Sequence, residues 1–146
     1  MFGRLKARKR LAETRNLIED ALKEVRFLGS GSDPDKLATK LTMMLSTGRP
    51  DFYDGSPGKN APHVVAGAAA ALAVGLASEA EKFDEDTLSQ MHLALGNLLL
   101  SASTHSATYG FRGYDVPLLK VAEQTYLERE QRTRAATDAI VSTLGL

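Results

Sequence analysis

The chain has 146 residues, a formal net charge of zero, 43% apolar residues and no cysteine. That length suits one domain able to bury roughly two thirds of its unfolded surface, and the composition is that of a globular protein. The missing thiols exclude disulfides, thiolate metal sites and a cysteine nucleophile, and they fit a reducing, cytoplasmic setting.

The zero average conceals a split. Arg4, Lys6, Arg8, Lys9, Arg10 and Arg15 face only Glu13 within residues 1–15, so the remainder is correspondingly acidic. Its densest acidic stretch is Glu79, Glu81, Asp84, Glu85 and Asp86 around Lys82. The positive start is not followed by the apolar run of a secretory leader. The longest uncharged apolar run, Val64 to Ala77, is 14 residues and falls short of the roughly 20 that span a bilayer.

Five helices are predicted, and no segment alternates as a strand would. The first covers about Leu5 to Leu28, where Ala7, Leu11, Thr14, Ile18, Ala21, Val25 and Leu28 repeat at 4-3-4-3-4-3 spacing along one stripe. Gly29-Ser30-Gly31-Ser32 ends it. Asp33-Pro34 then opens the second helix, an N-cap acceptor followed by proline, and this helix runs to about Thr47 with Leu37, Leu41, Met44 and Leu45 inward.

Residues 48–61 read as a loop rich in Gly, Pro and Asp. The third helix is expected from Pro62 to Lys82. Its alanine-rich centre is apolar on every side, which predicts burial and a central position. Asp84 caps a fourth helix, Glu85 to about Ser103, with Leu88, Met91, Leu95, Leu98, Leu99 and Ala102 as its core stripe. Leu93 and Leu100 fall outside that stripe, so they are either deeply buried or feed an interface.

Residues 104–116 read as a second Gly-containing aromatic loop. Asp115 caps the last helix, with Pro117 in its first turn. Leu119, Ala122, Tyr126, Thr133, Ala136, Ile140 and Leu144 keep helical spacing, while Glu128 to Arg134 is polar all round and is expected to be solvated or to project. The short connections predict one all-α domain over 1–146, a five-helix, mostly antiparallel up-and-down bundle. The basic segment 1–10 has room to be flexible.

No motif in the chain carries catalysis. His63, His92 and His105 lack metal-binding spacing, and the acidic cluster lacks a calcium-loop pattern. Ser101 and His105 have no visible orienting acid, and the glycines form neither a phosphate loop nor a dinucleotide fingerprint. No enzyme activity, metal or cofactor is expected.

Two surfaces remain as candidates. Phe52, Tyr53, Tyr109, Phe111, Arg112 and Tyr114 gather in the two long loops, and exposed aromatics beside an arginine suit a protein partner; alternatively they plug one end of the bundle. Arg4, Lys6, Arg8, Lys9, Arg10 and Arg15 suit phosphate on a nucleic acid, or a headgroup surface together with Phe2, Leu5 and Leu11. The favoured expectation is a non-catalytic interaction protein (an adaptor, regulator or inhibitor) that binds another protein and can self-associate. Nucleic-acid binding is the second reading, and a ligand-binding or enzymatic bundle is the third.

Overall fold

A computed structural model describes residues 2–26, 33–48, 61–109 and 115–145, with side chains placed at 9, 11–26, 33–46, 64–103 and 118–145. These residues form five α-helices: α1 (Phe2–Glu24), α2 (Pro34–Gly48), α3 (Ala61–Ser78), α4 (Glu85–Tyr109) and α5 (Asp115–Thr143). A short 3-10 turn, Ala80–Lys82, separates α3 from α4. No strand occurs among the described residues, so the all-α expectation holds.

The helix starts follow their local chemistry. Asp33 caps α2 through its carboxylate, which accepts from the Asp35 amide at 3.0 Å, and its carbonyl takes the first helical bond from Leu37. Asp84 serves α4 in the same way, accepting from the Thr87 amide at 2.7 Å. That backbone donor holds the Asp84 carboxyl below its ordinary pKa.

The helix ends differ from the expected ones. Helix α1 stops at Glu24 instead of reaching Leu28. The Arg26 amide closes onto Lys23 at 3.4 Å, a tighter 3-10 closure that breaks the regular ladder. Helix α3 stops at Ser78, short of Lys82, because the Lys82 and Phe83 amides turn to Glu79 and Ala80, three residues back. Helix α4 continues past Ser103 to Tyr109. The segment Thr104–Tyr109 contains neither Gly nor Pro, so nothing stops a helix already nucleated upstream. Residues 104–109 are therefore helical and not loop.

Helix α3 packs against α1, α2, α4 and α5. Every residue from Val64 to Ala73 on it is buried, and seven of these ten are alanine or glycine, while Val64, Val65 and Leu72 carry the bulk. Around them lie Ile18 and Leu22 from α1, Leu41 and Leu45 from α2, Met91 and Leu95 from α4, and Leu118 and Ala122 from α5. Small side chains on one helix let larger ones from its neighbours interlock at close range, and each buried methylene contributes about 0.8 kcal/mol. Leu22 lies off the predicted α1 stripe, yet it is fully buried, because α2, α3 and α4 all contact this helix.

Helix α5 leaves the core partway along its length. Leu118 and Ala122 are buried and Arg129 and Glu130 are half-buried, but every residue from Gln131 to Gly145 is exposed. At 1.5 Å per residue this arm is about 22 Å long. No helix among the described residues is long and apolar enough to cross a membrane.

Candidate functional site: the groove between helices α4 and α5

Three contacts join α4 to α5. Arg129 lies 3.6 Å from Glu85, His92 reaches Glu130, and the Tyr126 ring covers Gly96.

A polar cluster closes this contact where the arm leaves the core. The His92 Nε2–H donates to Glu130 Oε1 at 2.8 Å, since a carboxylate can only accept. The imidazole stacks on Tyr126, with centroids 4.3 Å apart and planes 6° from parallel. Tyr126 also donates to Glu130. These two donors hold the Glu130 carboxyl below its ordinary pKa, His92 contributing most. Burial raises the Tyr126 phenol, and the neighbouring Glu130 charge adds to the effect. The His92 Nδ1 is buried and has no hydrogen-bond partner among the described residues.

Glycine at 96 is what admits the tyrosine. A Cβ at this position would stand 2.9 Å from the Tyr126 Cε2, closer than real side chains pack. The ring therefore lies directly on the α4 backbone and forms the floor of an open groove.

The groove holds about 690 Å³ and is lined on the α4 side by Leu93, Asn97 and Leu100, and on the α5 side by Lys120, Glu123 and Leu127. Leu100 is 70% exposed and Leu93 41%, so both leave the core as their position off the α4 stripe allowed. Its walls are mainly apolar, with one cation and one carboxylate at the rim. Such a surface suits an apolar face of another molecule.

Because Glu130 titrates below an ordinary glutamate, its ionised form favours the folded chain. That contribution is present above the ordinary value of about 4.3 and is lost as pH falls through the lowered folded value. Thermal unfolding followed from pH 6 to pH 3 should therefore show a steep acid limb. Glu130→Gln should flatten it and lower the melting temperature by a few degrees at pH 6. An unchanged acid limb would show that the His92–Glu130 contact contributes nothing to the fold.

The sequence-derived candidates are placed less fully. Phe52 and Tyr53, and Phe111, Arg112 and Tyr114, lie outside the described residues. Tyr109 is the last residue of α4 and not part of a loop. Arg4, Lys6, Arg8 and Arg10 lie on α1, which begins at Phe2, and their side chains are outside the described set. Lys9 is exposed, 4.0 Å from Glu13. Arg15 is committed elsewhere: it bonds Glu19 and Asp35, each at 2.7 Å, and ties α1 to α2. Neither Lys9 nor Arg15 lines the α4/α5 groove.

Of the histidines, His92 is the helix histidine paired with Glu130, while the side chains of His63 and His105 lie outside the described residues. In the acidic stretch, Glu79 pairs with Lys82 at 2.6 Å and Asp84 caps α4. No group of three metal-ligating side chains occurs among the described residues. Comparison of the chain with known protein families, curated proteins and solved structures finds no match.

Proposed function

We propose that this chain is a non-catalytic helical interaction protein, an adaptor, regulator or inhibitor that acts in the cytoplasm by binding another protein, with self-association as part of its behaviour. The observation that carries this reading is the groove flanked by exposed Leu93, Leu100 and Leu127. Large apolar side chains grouped on one surface lose hydration cost when a partner covers them, and they mark interfaces more often than they mark a free surface. The bundle behind the groove is read as sequential antiparallel helices around the alanine-rich α3, a support that keeps both groove walls fixed. The aromatic residues at 52–53 and 109–114 belong to this reading as a further partner surface.

Leu100→Asp tests it. The side chain faces solvent, so the melting temperature should hold within about 2 °C while capture of proteins by the immobilised chain falls sharply. Equal capture by the wild-type and Leu100→Asp chains would remove the reading.

A second reading is nucleic-acid binding, favoured by the placement of Arg4, Lys6, Arg8, Lys9 and Arg10 in the first turns of α1, where no acid occupies the first turn. It expects a short duplex to shift the chain in size exclusion at low salt, and the shift to vanish at high salt.

A further inference from the structure

The arm and the groove lie on the same helix, so the arm cannot fold back into its own groove without breaking α5. It can enter the groove of another molecule. Lys120, Glu123, Leu127, Arg134, Asp138 and Val141 recur at spacings of 3, 4, 7, 4 and 3, which keeps them on one stripe of α5. The first three line the groove and the last three lie on the exposed arm. Lys120, Glu123 and Asp138 have no ion pair among the described residues, and Arg134 feels only the long-range attraction of Glu130.

We propose that the occupant of the groove is the α5 arm of a second copy of this chain, the two arms crossing antiparallel about a two-fold axis. The charges select that arrangement. When two copies of α5 run antiparallel, Lys120 meets Asp138 of the second copy in the same register in which Glu123 meets Arg134, to within one residue. Symmetry then repeats both contacts, giving four attractions. Shifting the register by one turn sets Glu123 against Asp138, a like-charge pair that occurs twice. Parallel alignment offers no single offset for both pairs, because they differ by seven residues.

Length and stability point the same way. The register lays residues 131–138 of the arm along the groove wall from Leu119 to Leu127, each stretch roughly 10–12 Å long. Two such short contacts make a small interface, in the range of weak, roughly micromolar association. A solvated helix of this length is marginal in water, so covering one face also steadies the arm itself.

This inference rests on the interaction reading above and names one partner for it. The test is light scattering and sedimentation equilibrium of the full chain from about 1 to 200 µM, bracketing the expected constant. The wild type should approach twice the 15.7 kDa chain mass. Glu123→Arg and Arg134→Glu should each weaken self-association at least about tenfold, since each turns two attractions into repulsions. Combining them, E123R with R134E, exchanges the charges and should restore the wild-type constant to within about threefold. Lys120→Glu with D138K should behave in the same way, and circular dichroism checks that each variant folds.

A wild type that stays monomeric throughout overturns the inference, as does a dimer whose charge exchange restores nothing. The interaction reading fails separately. If Leu100-dependent capture of other proteins persists in a strictly monomeric chain, that reading stands while the arm exchange falls.

Discussion

Alanine in place of Gly75 is expected to destabilise the fold by about 1–2 kcal/mol, the reverse of its usual effect in a helix. In an exposed helix the same change gains up to about 1 kcal/mol, since glycine has more backbone freedom to lose. Here a Cβ would stand 2.5 Å from the Leu41 Cδ2 and 2.7 Å from the Met91 Cε. Both are ends of side chains that ordinarily swing aside, but Leu41 and Met91 are fully buried and have nowhere to go. Overpacking of this kind costs about 1–3 kcal/mol, which outweighs the helix gain.

The melting temperature should fall by about 3–8 °C at this chain length. Leu41→Val removes the nearest methyl and should recover part of the loss, so the double variant should be more stable than the two single effects added together. If Gly75→Ala raises the melting temperature instead, α2 and α4 do not approach α3 as closely as described.

Gln90→Ala should cost more, about 2–4 kcal/mol. Gln90 is fully buried on α4, and its Nε2 donates to the Leu22 carbonyl at 3.1 Å. That carbonyl lies in the last turn of α1, where helical partners run out. The amide of Arg26, which would otherwise serve it, bonds Lys23. Truncating the glutamine therefore leaves a desolvated carbonyl without a donor and also a void.

Gln90→Leu separates the two effects, because it fills the space without supplying a donor. The leucine variant should recover part of the loss and still remain about 1–3 kcal/mol below wild type. The buried Gln90 Oε1, without a partner among the described residues, argues against a larger difference, since leucine removes that cost as well. A leucine variant as stable as wild type would mean that the bond to Leu22 adds no net stability.

The features legible in the sequence share a local cause. Asp33-Pro34 and Asp84 marked helix starts because capping involves residues two to four apart, and both caps stand where their chemistry put them. The alanine run announced its burial, and Leu93 and Leu100 stood off the α4 stripe. The polar segment Glu128 to Arg134 marked the point at which α5 leaves the core.

What the sequence hid depends on which helices meet, and at what height. Gln90 and Leu22 are 68 positions apart, and His92 and Glu130 are 38 apart. Neither pairing follows from periodicity, which gives the face of a helix but not its neighbour. The extension of α4 to Tyr109 was missed for another reason. Ser, Thr and His are weak helix formers, and beside the glycines that follow them they have the composition of a loop.

The alanine face of α3 narrows the changes that this gene can absorb. One base substitution in an alanine codon yields valine, threonine, proline, aspartate, glutamate, serine or glycine. Between Val64 and Leu76 valine and threonine add volume where neighbouring helices already touch, proline interrupts the helix, and the acids carry a charge into a place without water. Only serine and glycine remain, and each weakens the helix slightly. The fold therefore tolerates point mutation along the exposed arm of α5 far better than in the helix against which the other four pack.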